Sequence, residues 1–353
     1  MKKNTIKSIA LSIAIFISST IPALADTNVT RISGKDRHET NMKVEQKYFN
    51  KADGNLAVIA PSNNFRVALY GSYMANALNV PFYIIPNSGL SQSMINELSR
   101  LGVKRSYILG DYKQLNRSID NSLKSIGIKV DRFYDTYDYE NNFFYPITSY
   151  IDTPIFNTFH AGEPRGDTSV GIIINDSKFP DLLAAIPFVS ELTRKEATYL
   201  ASCKDLESTD GFRFIIGGYQ SVPNYFETFE GDSLGLNLHS WDGSYDPENS
   251  FFTGRIAGNN RYETAVEIAR SYKPVLKKNI NTVVIVDGTN YPDALASGTA
   301  AVHNNAAILL TEPNSLDENT KNYIIDNNIK NIIIVGGENS VSSNVEKELK
   351  SLN

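Results

Sequence analysis

Cysteine is almost missing from this sequence: Cys203 is the only one in 353 residues. A single thiol cannot close an internal disulfide, so the fold must be held by buried apolar surface rather than by cross-links. Nothing around Cys203 resembles an activating pair, and it reads as an inert, partly buried thiol. Histidine is nearly as scarce. His38, His160, His239 and His303 are scattered without metal-ligand spacing, and no His-Glu-x-x-His string occurs. No metal and no cofactor are therefore expected. The Gly-Gly pairs lack the glycine-rich fingerprint that surrounds a pyrophosphate, so a bound nucleotide is not expected. No nucleic-acid partner is expected either. Long hydrophobic runs are absent as well. The one apolar stretch, Ile9 to Ile17, is too short to span a bilayer. Lys2, Lys3 and Lys7 precede it and Ala23-Leu24-Ala25 follow, which is the pattern of a secretory signal peptide over residues 1–25. Losing those three lysines on cleavage moves the formal charge from −5 to −8. The mature chain should be exported and soluble, with no transmembrane segment.

What the sequence does contain is repetition. Arg31 to Thr40 (Arg-Ile-Ser-Gly-Lys-Asp-Arg-His-Glu-Thr) returns as Arg255 to Thr264 (Arg-Ile-Ala-Gly-Asn-Asn-Arg-Tyr-Glu-Thr). Asn64-Phe65 matches Asn290-Tyr291, and Leu109-Gly110 matches Val335-Gly336, both at an offset of 226. Between these copies lies a degenerate third. Ile172 to Asn175 leads into Phe179-Pro180-Asp181-Leu182-Leu183-Ala184, paralleling Val283 to Val286 and Tyr291-Pro292-Asp293-Ala294-Leu295-Ala296. Phe214 to Gly218 with Ser221-Val222 parallels Ile333 to Gly337 with Ser340-Val341. After the signal peptide the chain divides into repeat one (26–133), a divergent repeat two (134–253) and repeat three (254–353).

Each repeat reads as short apolar strands alternating with helices, the pattern of a parallel sheet covered on both faces. In repeat three the strands are Val283 to Val286, Ala307 to Leu310 and Ile332 to Val335. The helices are Asp293 to His303, Leu316 to Asn327 and Val341 to Leu352. Repeat one offers Ala57 to Ile59, Arg66 to Leu78, Phe82 to Ile85, Ser91 to Leu101, Tyr107 to Leu109 and Arg117 to Ile126. It then adds a strand-like Ile128 to Phe133, which repeat three lacks. Val29 to Ile32 has the same character, so the start of the mature chain is expected to pair with the exposed edge of repeat three.

The repeated opening has a local explanation. Asp36 and Asn260 can each cap a helix, with Glu39 and Glu263 three residues on completing a capping box. Arg37 and Arg261 are not explained in that way, because a cation in the first turn opposes the helix dipole. They either pair with a carboxylate of a neighbouring repeat or face an anionic ligand.

The motif Arg-Ile-x-Gly-x-[Asp/Asn]-Arg-x-Glu-Thr, with Tyr-Pro-Asp-Ala-Leu-Ala, Ala-Ile-Leu-Leu and Ile-Val-Gly-Gly, resembles the cell wall binding repeat 2 family. The resemblance runs from about Thr30 to Leu352 and is weakest in repeat two. It implies an α/β fold of three tandem repeats, each a small parallel sheet with helices on both faces, arranged as a pseudo-threefold unit. It also implies non-covalent attachment to an anionic wall polysaccharide at the cell surface, and surface-layer proteins as possible partners. The ligand-binding candidates are Arg31, Arg37, Arg255, Arg261, Asp181 and Asp293, with Ile308, Leu309 and Leu310 as the family's hydrophobic motif. Repeat one has Tyr83-Ile84-Ile85 at that motif, and repeat two only Thr198-Tyr199-Leu200. Repeat one also places Arg66-Val67 where Pro292-Asp293 stands. Repeat two lacks the opening motif and carries aromatics instead: Tyr134, Tyr137, Tyr139, Phe143, Phe144, Tyr145 and Tyr150.

Two functions compete. The first is a non-catalytic wall-binding protein, a minor surface-layer component. The alternative is an exported wall-modifying hydrolase, for which Asp287 and Asp293 flank a strand-end loop of the kind where α/β folds place chemistry. Both carboxylates are better explained as loop and helix-start residues, which a helix N-terminus favours.

Overall fold

The computed structural model describes residues 27–161, 170–196, 198–204, 212–223, 228–229, 232–233 and 254–352. The signal peptide expected over 1–25 lies outside them. The chain opens with β1 (Asn28–Ile32), α1 (Arg37–Tyr48), β2 (Leu56–Pro61), α2 (Phe65–Leu78) and β3 (Phe82–Ile85). It continues through α3 (Gln92–Arg100), β4 (Arg105–Leu109), α4 (Arg117–Ser125) and β5 (Lys129–Phe133). A hairpin of β6 (Thr136–Asp138) and β7 (Phe143–Tyr145) leads to α5 (Ile147–Phe159), β8 (Val170–Ile174), α6 (Phe179–Lys195), β9 (Thr198–Ser202) and β10 (Phe212–Ile216). A short pairing of β11 (Thr228–Phe229) with β12 (Asp232–Ser233) precedes β13 (Gly254–Ile256), α7 (Arg261–Leu276) and β14 (Thr282–Asp287). Last come a 3-10 turn (Ala294–Ala296), α8 (Ser297–His303), β15 (Ala307–Thr311), α9 (Glu318–Asp326), β16 (Asn331–Val335) and α10 (Ser343–Lys350).

The strands make three four-stranded sheets, ordered β5-β4-β2-β3, β13-β10-β8-β9 and β1-β16-β14-β15. Every pairing within them is parallel. The β-branched runs form these strands because both faces are covered. In β2, Val58 and Ala60 join one buried cluster while Ala57 and Ile59 join another. Sheet membership cuts across the sequence boundaries at two strands. β13, within 254–353, completes the sheet of repeat two, and β1, within 26–133, completes that of repeat three. β1 lies along β16 from Asn28 opposite Asn331 to Ile32 opposite Val335, as the strand-like character of Val29 to Ile32 predicts. The Thr27 hydroxyl donates to the Leu352 carbonyl, so the first and last described residues meet.

One helix from each repeat lies at the centre: α2, α6 and α8 each contact the other two. Helix α2 is buried on all sides from Val67 to Ala77, as an apolar helix inside a core must be. Gly298 of α8 sits where the three meet. A Cβ there would come within 2.6 Å of Ser72 and 2.7 Å of Asn76 on α2, and 3.1 Å of Ile186 on α6. The helix expected from Asp293 starts instead as a 3-10 turn. The Ser297 hydroxyl donates to the Ala294 carbonyl at 2.6 Å, competing with the α-helical bond of that turn.

Repeats one and three also meet through α1 and α8. Tyr48 stacks on His303 at 5.3 Å, and Asn304 donates to the Tyr48 hydroxyl at 2.8 Å. Glu45 on the same helix is fully buried, and burial pushes its carboxyl up to about 8, against the opposing hydrogen bonds of Thr299 and the Phe82 amide.

Removing residues 27–32 should strip hydrogen-exchange protection from Asn331 to Val335 more than from Ile172 to Ile174, although the latter lie closer in sequence. Equal loss in both sheets would show that β1 does not hold repeat three in particular. A second test concerns Glu45. Folded Glu45 keeps a proton that the unfolded chain releases near the ordinary glutamate value of 4.5. The stability it contributes is therefore complete below that pH and is lost as pH rises through about 8. Glu45→Gln should raise the melting temperature at pH 8 relative to wild type more than it does at pH 5. Parallel pH profiles for the two proteins would refute this.

Candidate functional site

The carboxyl ends of the parallel strands, where the repeated motifs gather, carry the candidate site. The first arginine of each opening motif has a structural task. Arg31 donates to the Gly336 carbonyl at 2.7 Å and to Val341 at 2.8 Å, and pairs with Glu346 at 2.8 Å. Arg255 donates to Gly217 at 2.5 Å and Val222 at 2.9 Å. The third member of this set is Arg132 in β5, which donates to Gly110 at 2.7 Å and pairs with Asp120. Each glycine follows the third strand of its sheet at φ of 103°, 114° or 125°, a conformation costly for any other residue. Each glycine N–H also donates to the residue after the arginine: Gly110 to Phe133, Gly217 to Ile256 and Gly336 to Ile32. Arg31 and Arg255, expected to meet ligand, are thus clamps of the frame, and Arg255 is only 5% exposed.

The rest of the motif is equally legible. Asp36 and Asn260 cap α1 and α7, accepting from Glu39 and Glu263 N–H at 2.9 Å. The glutamates return to the N–H of Lys35 and Asn259, one residue before the expected cap position. Thr40 and Thr264 accept from the N–H of Gly34 and Gly258, whose Cβ would lie within 2.6 Å of neighbouring atoms. Arg37 and Arg261 each send one N–H to a strand-end loop of their own repeat, to Ser62 after β2 at 3.0 Å and Gly288 after β14 at 2.6 Å. Neither pairs with a carboxylate among the described residues.

Three expected contacts are buried. Ile308, Leu309 and Leu310 are fully covered in β15, beneath α6 and α7. They build core and cannot touch a polymer. Asp293 and Asp181 hold the turn after the third strand. Asp293 accepts from the Ser340 hydroxyl at 2.7 Å and the Gly337 N–H at 3.3 Å. Asp181 accepts from Ser221 at 3.2 Å, and burial raises its carboxyl above the usual range against the pull of Ser221, Lys178 and Arg261. In repeat one Val67 replaces the aspartate, and Gln114 closes the turn through the Asp111 N–H at 3.0 Å. Asp287 bonds Thr289, and Asn175 makes the same contacts to Ser177 in repeat two. An amide serves there as well as a carboxylate, which removes the reason to read Asp287 as an acid or base.

Two grooves open at this end. The first, about 540 Å³, brings Arg261 together with Lys178, Asp181 and the Gly218–Ser221 turn. The second, about 550 Å³, is more apolar, with Ile84, Ile85, Met42 and Met94 below Lys35 and His38. Beside the first groove three rings, Phe65, Phe179 and Tyr291, meet in a triangle with centroids 5.4 to 6.1 Å apart. Each stands at the head of its repeat's central helix. The sequence offered this cluster as an aligned aromatic at each repeat. Repeat two differs at its opening: Asp135 accepts from Ile147 N–H at 2.7 Å, capping α5, and pairs with Arg66 at 2.8 Å. Arg66 pairs with Asp176 as well.

The sequence signature described as Cell wall binding domain 2 (CWB2) matches residues 31–120 and 255–346, just over half the chain. The chain belongs to the CWB2 family. It is 24% identical over 340 residues to N-acetylmuramoyl-L-alanine amidase LytC of Bacillus subtilis (strain 168), covering 93% of this chain and 59% of that one. It is 40% identical over 104 residues to the amidase enhancer of the same organism, across 30% of this chain and 14% of that one. Two solved structures share the fold. Cwp8 from Clostridium difficile superposes with TM-score 0.67 at 16% identity, over 92% of this chain and 52% of its own. Cwp6 from Clostridium difficile does so with TM-score 0.68 at 17% identity, over 93% and 48%. The chain therefore spans roughly half to three fifths of its full-span relatives. Family membership makes it a secreted, cell-wall-associated protein that binds the wall. Among the described residues no helix is long and apolar enough to cross a membrane, and no cluster of three metal-binding side chains occurs.

Arg255→Ala should lower stability by about 2–4 kcal/mol, because two buried carbonyls lose their donor. Thermal unfolding checks this, and an unchanged melting temperature would leave Arg255 available for ligand after all.

Proposed function

We propose that the protein is a non-catalytic wall-binding unit that holds an anionic wall polysaccharide without covalent attachment, as a minor surface-layer component beside other surface proteins. The reading places the three repeats as a pseudo-threefold ring around α2, α6 and α8. The observation that carries it is the groove where Arg261 enters between two repeats. Its guanidinium spends one N–H on Gly288 and stands exposed at the head of α7, where the helix dipole also favours an anion. Arg37 makes the matching hydrogen bond to Ser62 at the head of α1, where it is half-buried. A net negative chain is no obstacle, since phosphate or carboxylate groups need only a few convergent donors. Repeat two has no opening arginine, and at the corresponding junction Arg66 and Asp135 pair to hold the frame.

Besides Asp287 and Asp293, the hydrolase alternative has in its favour the string Gly231-Asp232-Ser233-Leu234-Gly235. A nucleophile elbow needs its serine on a strand-to-helix turn. Ser233 pairs instead with Thr228 in a two-residue antiparallel ladder, and Gly231, Leu234 and Gly235 lie outside the described residues.

Binding of the mature chain to purified walls, before and after acid removal of the anionic polymer, tests the ligand class. Persistent binding to stripped peptidoglycan, or release of soluble fragments, would overturn it. Replacing Arg37 and Arg261 together by alanine should weaken wall binding roughly tenfold and flatten its salt dependence, because exposed charges are screened over about 8 Å. Unfolding of the double variant would show that these arginines are structural.

A further inference from the structure

Five of the ten large apolar side chains that stand exposed among the described residues lie within residues 137–145: Tyr137, Tyr139, Phe143, Phe144 and Tyr145. They belong to the β6–β7 hairpin, inserted where repeats one and three have the opening motif. A pair of three-residue strands needs no such side chains to stay soluble, and a concentrated exposed aromatic patch marks a contact surface. In the hairpin register Tyr137 stands opposite Phe144, so the two share a face, and the Tyr139 ring lies 4.9 Å from Tyr137. Phe143 and Tyr145 take the other face, where Tyr145 leans on Tyr150 of α5. On the first face Tyr139 is 87% exposed, and Tyr137 and Phe144 are each 42% exposed.

The composition of the insert selects its occupant. Residues 134–145 contain no aliphatic side chain and no Lys or Arg, so they offer no cation for phosphate. Asp138 and Glu140 at the tip repel anionic groups, lipid headgroups included. Flat aromatic faces with hydroxyl, amide and carboxylate groups at the rim suit a ring that is apolar on its faces and polar at its edge. An uncharged pyranose has that form.

The hairpin also continues from the groove. Asp135 at its base pairs with Arg66, next to Phe65, and Phe65 lines the groove that holds Arg261. We infer that Tyr137, Tyr139 and Phe144 stack neutral hexose units of the same wall polymer whose charged groups meet Arg261. This rests on reading the groove as a glycan site.

The test compares the full mature chain with Tyr137→Ala/Tyr139→Ala/Phe144→Ala, after circular dichroism confirms that the exposed substitutions leave the fold intact. The probe is wall oligosaccharide freed of phosphate, titrated by tyrosine fluorescence. Wild type should bind it with an affinity unchanged between about 50 and 500 mM salt. The variant should bind about tenfold more weakly, while still binding intact walls through the salt-sensitive arginine contacts. Identical titrations for the two proteins would overturn the inference. So would a change from dimer to monomer in the variant on sedimentation, which would make the patch a contact between copies. Failure of wild type to bind intact walls would sink the groove reading alone, because the neutral probe decides the hairpin separately.

Discussion

Each of the three four-stranded sheets is finished by a strand that leads straight into the next unit, and an arginine on that strand fastens it. Arg132, Arg255 and Arg31 reach the carbonyl of a left-handed glycine at the end of the adjacent strand, while that glycine's N–H returns to the residue after the arginine. The exchange fixes both edge strand and turn. It also sets the chain's direction as it leaves the sheet, and so where the following helix and its head group stand. Because β1 finishes the sheet of repeat three, the last sheet depends on the first residues of the described chain. A linear array of repeats adds stability neighbour by neighbour. Here the closing contact joins segments about 300 residues apart in sequence, so a local weakness in one repeat is felt by both neighbours.

The frame leaves a division of labour among charged groups. Arg31, Arg132 and Arg255 are consumed by carbonyls and, for Arg31 and Arg132, by carboxylates four residues beyond the caps of α10 and α4. Arg37 and Arg261 each hold a loop with one N–H, and Arg261 also lines the groove. Position in the motif decides the difference. The first arginine lies in a strand and points along the sheet edge; the second lies in the first turn of a helix and points past it.

Much of this was legible in sequence. The strands, the central helices and the pairing of Val29 to Ile32 followed from apolar runs, repeat offsets and one missing edge. The site was less legible, for a physical reason. A motif repeated because it builds the frame looks the same in sequence as one repeated because it binds ligand. Arg31 and Ile308 to Leu310 drew a binding role from their resemblance to the family, and burial assigns them to structure. The kinship of Ile128 to Phe133 with Val29 to Ile32 was read in sequence, but the shared clamping role of Arg132 and Arg31 emerges only once both are seen on fourth strands.

Repeat two illustrates how such a frame tolerates change. The opening motif supplies a cap and an arginine that anchors a loop, and only the first is indispensable to a buried helix. Asp135 provides the cap from before the hairpin, and Arg66, standing where repeat three has proline, ties the junction through Asp135 and Asp176. With those tasks met, eleven residues (136–146) could be inserted without disturbing the sheet or α5. The insert is aromatic and lacks cations, whereas the segments it replaces are polar and carry arginine. A loop drifting without constraint would lose its large apolar residues to solvent exposure, since each costs solubility and none is needed for folding. Their concentration on a two-stranded hairpin beside the groove is therefore better understood as a change of ligand chemistry at that junction than as the decay of a third equivalent site.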